Sequence, residues 1–248
     1  MEVKNYNKSM KEINKLLNGA KTVIFLDYEG TQLTQEIIAI GAVKVTLDNK
    51  NQIKKVYPGF KQYVKAHGEV GPVVSKLTGI TDIELQEHGI NFLYANKYFQ
   101  QYVGNHINIK YITYGNYDMR LLHQTSVIAG LNDDPFIKSI YKNYVDFSSF
   151  LGKYVKSKKG TQLSLHDALD VFNVTPKGDA HNPMYDALNL MLLYKAVLNN
   201  KAMLIKEYTN LLLNNHPYPA PISKIIRDLK TKGTTTMDDF IKYVGDDI

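Results

Sequence analysis

The chain has 248 residues and a formal net charge of +6, which is enough for one large domain with an appendage and compatible with a phosphate-rich partner. It contains no cysteine, which excludes disulfides, cysteine-based zinc sites and thiol nucleophiles. The N-terminus lacks the apolar core of a signal peptide and no apolar run reaches the length of a membrane span, so we expect a cytoplasmic protein with no membrane partner.

The first part of the chain predicts a helix followed by an antiparallel meander. A short amphipathic helix is expected within residues 1–21. The apolar run that ends at Asp27 predicts a central strand buried on both faces. Residues 36–45 and 52–66 predict two more strands, the second interrupted by a Pro-Gly pair. Turn residues between these strands favour an antiparallel arrangement.

The remainder alternates strands with helices. Further strands are predicted at residues 111–114 and 141–147. Helices are predicted at residues 71–77, 81–88, 92–99, 117–129, 148–154, 164–172 and 183–198. A meander followed by this alternation indicates a mixed α/β fold, with a five-stranded sheet flanked by helices.

The chain divides into three predicted parts. Residues 1–21 form the N-terminal helix, residues 22–199 the main domain, and residues 200–248 a C-terminal helical extension. The extension contains a linker-like break at residues 214–221, with two short helices predicted at residues 222–229 and 237–244. The sequence leaves the role of the extension open.

Two carboxylates, Asp27 and Glu29, follow the apolar run of the first strand. Side chains alternate along a strand, so both point to the same face, where like charges repel and resist desolvation. A divalent cation such as Mg²⁺, which prefers oxygen ligands, relieves both costs. The ordinary alternative is that Asp27 caps the following loop and Glu29 is solvated, so a metal site needs further ligands.

Asp118 and Asp186 are the candidates for those ligands. Asp118 follows the turn after the fourth strand, and ligands of open α/β sheets bind at the carboxyl ends of strands; its alternative role is to stabilise the first turn of a helix. Asn182 and Pro183 predict the start of a helix, with Asp186 about one turn inside it. His181 then lies on the preceding loop, where it is either an ordinary surface histidine or a mobile base beside a rigid carboxylate.

Three segments resemble, in order and spacing, the motifs of the DEDDh (DnaQ-like) 3′–5′ exonucleases of the ribonuclease H-like superfamily: residues 27–29 (Asp-Tyr-Glu), 116–118 (Asn-Tyr-Asp) and 181–186 (His-Asn-Pro-Met-Tyr-Asp). Accessory segments of the family are similar to residues 36–45, 76–81 (Lys-Leu-Thr-Gly-Ile-Thr) and 163–172. The resemblance covers about residues 22–199 and is nearest to Eri1-type and ribonuclease T-like exoribonucleases.

This resemblance implies a ribonuclease H-like fold and a metal-dependent 3′–5′ exonuclease that releases nucleoside 5′-monophosphates. It implies that Asp27, Glu29, Asp118 and Asp186 bind two Mg²⁺ or Mn²⁺ ions, which clamp the attacking and leaving oxygens of an in-line displacement. His181 would be the general base that takes a proton from the attacking water.

The resemblance also implies the substrate contacts and the partner. The backbone of Gly30 and the hydroxyl of Thr31 could hold the terminal nucleotide, while Leu77, Thr78 and Ile80 could stack on the last bases. Core packing is the alternative for Leu77 and Ile80. The expected partner is single-stranded nucleic acid, with RNA favoured over DNA. A DNA-directed exonuclease and a catalytically silent nucleic-acid-binding module are the alternatives, and the oligomeric state stays open, a homo-oligomer included.

Overall fold

A six-stranded mixed sheet forms the centre of the protein. The structure is a computed structural model that describes residues 11–105, 108–214 and 218–247; residues 1–10 of the predicted N-terminal segment and residues 215–217 of the predicted break lie outside them. The strands are β1 (Thr22–Gly30), β2 (Ile37–Leu47), β3 (Ile53–Val56), β4 (Phe60–Tyr63), β5 (Ile109–Thr113) and β6 (Tyr144–Asp146).

The strand order is β3-β2-β1-β5-β6, with β4 also paired to β2. β1 is antiparallel to β2 and parallel to β5, and β5 is parallel to β6. The predicted mixed sheet is confirmed. It has six strands instead of five because the break at Pro58 and Gly59 separates β3 from β4, and both pair antiparallel with β2.

Helices cover both faces of this sheet. They are α1 (Lys11–Leu17), α2 (Pro72–Thr78), α3 (Asp82–His88), α4 (Phe92–Val103), α5 (Tyr117–Ile128), α6 (Pro135–Lys142), α7 (Phe147–Leu151), α8 (Leu165–Val171), α9 (Pro183–Asn199), α10 (Lys201–Asn214), α11 (Ala220–Lys232) and α12 (Met237–Gly245). Every predicted helix of the main domain has a counterpart here. None of the described helices has the length and apolar content needed to cross a membrane.

The strand predicted at residues 141–147 is wrong over its first half. Asp134 caps α6 by accepting hydrogen bonds from the backbone N–H groups of Phe136 and Ile137, and Pro135 occupies the first turn. These are strong helix-start signals. The helix buries its apolar face and runs on to Lys142, so only the three residues of β6 remain extended.

The two faces of β1 pack against different helices. Val23 and Phe25 face α9, where the rings of Phe25 and Tyr194 are 5.4 Å apart. The alternate residues Ile24 and Leu26 belong to the apolar cluster on the other face, which includes residues of α4, α5 and α6. Because side chains alternate along a strand, the row of Val23 and Phe25 continues into Asp27 and Glu29. The two carboxylates therefore lie on the α9 face.

Gly41 allows α9 to begin directly above the sheet. Gly41 lies opposite Asp27 in the β1–β2 ladder, and a Cβ at this position would collide with the backbone of Pro183. Pro183 is the first residue of α9. The missing side chain thus brings the start of α9, with its flanking residues 181–186, next to the end of β1.

The C-terminal helices extend from the same core. Leu204 of α10 is buried in the cluster that contains the inner face of α9, and Met203 packs against it. Helices α11 and α12 pack against each other, and Thr236 and Asp239 form a capping box at the start of α12. Both predicted short helices are thus confirmed, whereas α10 was not predicted. The division into a main domain and an extension stays a prediction.

Replacing Gly41 with Ala should destabilise the protein by about 1–3 kcal/mol, because the added methyl group collides with backbone that cannot rotate away. The free energy of unfolding in urea measures this effect. Gly245→Ala is the matched control, since no heavy atom lies within 4 Å of its added Cβ; its change should stay within about 0.5 kcal/mol. Equal effects of the two substitutions would contradict the packing described here.

Candidate active site

Four carboxylates meet at the carboxyl end of β1. Burial raises the pKa of Asp27 well above its usual value, and the nearby charges of Asp118, Glu29 and Asp186 raise it further. Burial also raises the pKa of Glu29 to about 8, again with contributions from Asp186 and Asp118. The four acidic residues singled out in three separate segments of the chain are therefore brought together.

Asp118 is held in place by the backbone of β1. It is the second residue of α5 and only 6% exposed, and its Oδ1 accepts a hydrogen bond of 2.8 Å from the backbone N–H of Tyr28. Burial raises the pKa of Asp118 to about 7, although this hydrogen bond acts in the opposite direction. Tyr28 lies between Asp27 and Glu29 in β1, so this hydrogen bond fixes the start of α5 beside both carboxylates.

His181 and Asp186 complete the cluster from the start of α9. One ligand atom each from Glu29, His181 and Asp186 lies within 4.8 Å of the other two. Burial raises the pKa of Asp186, while a hydrogen bond from the backbone of His181 and the charge of its ring lower it. His181 is exposed and has a φ of 61°, a left-handed conformation that is uncommon for a residue other than glycine.

Asn182 occupies the predicted N-cap position but does not cap α9 with its side chain. Its Oδ1 is buried and has no hydrogen-bond partner among the described residues. The predicted helix start is therefore correct, whereas the capping interaction that motivated it is absent. The first turn of α9 instead depends on Pro183 and on the backbone bond from Asp186 N–H to the carbonyl of Asn182, at 2.9 Å.

Two of the predicted substrate contacts lie inside the protein. Thr31 is fully buried; its hydroxyl hydrogen-bonds to that of Thr34 at 2.7 Å and accepts the backbone N–H of Glu36 at 2.9 Å. Ile80 is also buried and belongs to a small apolar cluster with Ile38, Ala39, Val70 and Leu85. Both side chains are engaged in shaping the loops beside the carboxylates.

The other predicted contacts lie nearer the surface. Leu77 is 53% exposed near the end of α2. The hydroxyl of Thr78 donates to the carbonyl of Val74 at 2.9 Å and accepts the N–H of Ile80 at 3.0 Å, so it closes the end of that helix. Gly30 is buried as the last residue of β1. Of the two apolar side chains predicted to meet bases, only that of Leu77 presents open surface.

No lysine or arginine of the described residues forms an ion pair with the carboxylate cluster. The ion pairs formed among the described residues involve none of Asp27, Glu29, Asp118 and Asp186. Four acidic groups whose pKa values are raised by burial, with no lysine or arginine partner among the described residues, form a set of oxygen donors that suits hard divalent cations. The cluster thus fits a metal centre better than it fits a structural ion-pair network.

A comparison with known families shows which family the chain belongs to. Residues 24–194 match the model of the RNase_T family, which is described as "Exonuclease". The chain belongs to this exonuclease family. The match covers all of the residues of the carboxylate cluster and His181, and it identifies the protein as an enzyme that hydrolyses nucleic acid.

Solved nucleases share the fold of this exonuclease. The nuclease domain of 3′hExo, a DEDDh family member bound to rAMP, aligns with a TM-score of 0.60 and 19% identity over 73% of this chain and 94% of that chain. Cell-death related nuclease 4 (CRN-4) aligns with a TM-score of 0.60 and 16% identity over 73% and 64%, respectively. E. coli Exonuclease I, in complex with a dT13 oligonucleotide, aligns with a TM-score of 0.57 and 18% identity over 78% and 44%. This chain thus spans under two thirds of the last two nucleases. No curated protein sequence matches it.

Two features of the exonuclease were missed from the sequence. Tyr117 is 42% exposed at the start of α5, and its hydroxyl lies within electrostatic range of Glu29 and Asp118. The guanidinium of Arg120 lies over its ring, 5.0 Å from the centroid. The sequence did offer one signal for this pair. Tyr117 and Arg120 are three positions apart on a predicted helix, and residues at that spacing are neighbours on the helix surface.

The second missed feature is the role of Glu36. Its carboxylate accepts hydrogen bonds from the hydroxyl of Thr34 and from the backbone N–H groups of His67 and Gly68. It also contacts the ring nitrogen Nδ1 of His67 at 3.0 Å. Burial acts to raise the pKa of Glu36, but these hydrogen bonds lower it overall. The residue ties the loop after Gly30 to the loop after β4. The partners are 31 and 32 residues away, so no local pattern indicates them.

The metal-free exonuclease should become less stable as the pH rises from about 4.5 to about 8. Over this range the folded protein keeps a proton on Glu29 that the unfolded chain has lost, because the pKa is about 8 when folded and 4.5 ordinarily. A divalent cation, which binds the ionised carboxylates, should remove this loss.

Thermal unfolding in EDTA and in MgCl₂ across this pH range tests the effect, with Glu29→Gln as the matched variant. The variant lacks the titrating group, so it should lose less stability with pH and gain less from the metal. Identical pH and metal responses in the two proteins would contradict the assignment of Glu29 to the cluster.

Proposed function

We propose that the exonuclease removes nucleotides from the 3′ end of single-stranded RNA or short oligoribonucleotides and releases nucleoside 5′-monophosphates. The single observation that carries this proposal is the meeting of four carboxylates from three chain segments at the end of β1, with no lysine or arginine partner among the described residues. The 3′–5′ direction and the two-metal chemistry follow from the resemblance of the three motifs to the DEDDh exonucleases.

Asp27, Glu29, Asp118 and Asp186 would together hold two Mg²⁺ or Mn²⁺ ions. When bound, such ions stabilise the negative charge that develops on the phosphate oxygens during the displacement. The protein keeps Asp118 rigid through its hydrogen bond to Tyr28, so the donor set is organised before metal and substrate arrive.

His181 would take the proton from the water that attacks the phosphate. Its exposed position on the loop before α9 and its proximity to Glu29 and Asp186 support this role. The left-handed backbone at His181 is a costly conformation of the kind that concentrates at functional sites. The hydrogen bond from its own backbone to Asp186 links the loop to the carboxylate cluster.

The terminal nucleotides would lie between the end of β1 and α2. Leu77 is suited to contact a base because its side chain is half exposed, and the backbone of Gly30 is suited to approach the sugar. Thr31, Thr78 and Ile80 would act indirectly, by fixing the loops that carry these contacts. RNA is favoured because the nuclease domain of 3′hExo was solved with rAMP, whereas the complex of Exonuclease I with dT13 keeps DNA as the second candidate.

Incubation with 5′-labelled RNA and DNA of one sequence, with Mg²⁺ or Mn²⁺, tests the proposal. We expect a ladder of products shortened one nucleotide at a time, formed faster from RNA, and abolished by Asp27→Asn, which removes one charge without changing the shape of the side chain. Asp133→Asn is the matched control, since Asp133 is exposed and forms its ion pair with Lys138 at the surface, outside the carboxylate cluster. A faster ladder from DNA would select the second candidate, and cleavage by Asp27→Asn at the wild-type rate would contradict the site.

His181→Ala should lower kcat by about 10²- to 10⁴-fold, the usual contribution of a general base. The rise in melting temperature caused by Mg²⁺ should remain, because the carboxylates are unchanged. If the substitution removes this metal-dependent rise as well, His181 binds the metal and is not the base.

A further inference from the structure

Tyr117 and Arg120 form an exposed pair on the ridge of α5 that borders the carboxylate cluster. The two residues are three positions apart, so they are neighbours on the same helix face. The guanidinium lies 5.0 Å from the centroid of the Tyr117 ring, within the range of a cation–π contact. Asp118, between them in sequence, is buried instead. The charged group is thus held at the rim of the site and outside the cluster itself.

Arg120 has no acidic partner in the described part of the chain. No carboxylate of those residues lies within 4.0 Å of its guanidinium, and the planar group keeps its N–H donors available while one face rests on the ring. Arginine is also rare here: the chain has only Arg120 and Arg227, while its other basic residues are lysines. A positioned, unpaired guanidinium beside a phosphodiesterase site suits an anionic ligand.

We propose that Arg120, oriented by the ring of Tyr117, binds a backbone phosphate of the substrate on the 5′ side of the bond that is cleaved. This inference rests on the proposed 3′–5′ activity. Such an enzyme cleaves the last linkage of the strand, so every other phosphate of the substrate lies on the 5′ side. A cation outside the carboxylate cluster that contacts a second phosphate therefore contacts an upstream one.

This position makes the contribution of Arg120 depend on substrate length. A dinucleoside monophosphate contains only the phosphate that is cleaved, whereas a trinucleoside diphosphate contains one upstream phosphate as well. The released mononucleotide has no upstream phosphate and gains nothing from Arg120. The arginine would therefore hold the substrate strand without retaining the product.

The test compares wild type, Arg120→Gln and Arg227→Gln on ApA and ApApA, or on the deoxy equivalents if the labelled assay ranks DNA first. For Arg120→Gln we expect kcat/KM to fall about tenfold on ApApA, the size of one charge-assisted hydrogen bond, and to remain at the wild-type value on ApA. Activity on ApA also shows that the variant is folded. Arg227→Gln, which changes the other exposed arginine on α11, should match wild type on both substrates.

Salt provides an independent readout. The loss of one phosphate contact should make the dependence of kcat/KM on salt concentration shallower for ApApA, because one screened charge interaction is removed, and should leave it unchanged for ApA. An equal loss of activity on both substrates would mean that Arg120 contacts the cleaved phosphate. No loss on either substrate would mean that Arg120 does not contact the substrate. Each result would overturn the proposal. If wild type cleaves neither dinucleotides nor longer strands, the proposed function fails instead.

Discussion

The mutual repulsion of four carboxylates at one end of β1 is the constraint on which the active site depends. Folding brings Asp27, Glu29, Asp118 and Asp186 out of water and close together. Burial raises the pKa of each, and the charges of Asp118, Glu29 and Asp186 raise the pKa of Asp27 further. This arrangement costs stability in the metal-free protein. We propose that bound cations make it favourable, because they pair with the ionised carboxylates.

Three local features of the fold bring these carboxylates together. Strand alternation places Asp27 and Glu29 on the face that packs against α9. A backbone hydrogen bond from β1 holds Asp118. The absence of a side chain at Gly41 allows α9 to start above the sheet. Each feature is local, yet together they join the segments of Asp27, Asp118 and Asp186, which are about ninety and about seventy residues apart in the chain.

The rigid and the exposed parts of the site suit different proposed roles. The carboxylates are anchored in β1, α5 and α9, and the loop after Gly30 is tied down through Glu36. His181 and Arg120 lie at the exposed rim instead. Metal binding needs preorganised ligands, whereas proton transfer and strand binding need groups that reach a moving substrate.

Much of this site was predictable from the sequence because its signals are local. Asp27 and Glu29 follow an apolar run at a spacing of two, and the start of α9 is marked by Pro183. The strand predicted across residues 141–147 was wrong over its first half, because the helix-start signal of Asp134 and Pro135 outweighs the apolar and aromatic residues that follow.

Other features depend on contacts that no local pattern reports. The burial of Thr31 and Ile80 results from loops packed together in three dimensions. Glu36 binds residues more than thirty positions away. That Arg120 has no acidic partner among the described residues depends on all the side chains around it, so no local pattern indicates it.

Calorimetric titration of the metal-free exonuclease with MnCl₂ at neutral pH, repeated in buffers of different ionisation enthalpy, tests the central claim most directly. We expect saturable binding with net release of protons, because Glu29 and Asp118, with pKa values of about 8 and about 7, must ionise when the metal binds. Binding without proton release, or no saturable binding, would contradict it.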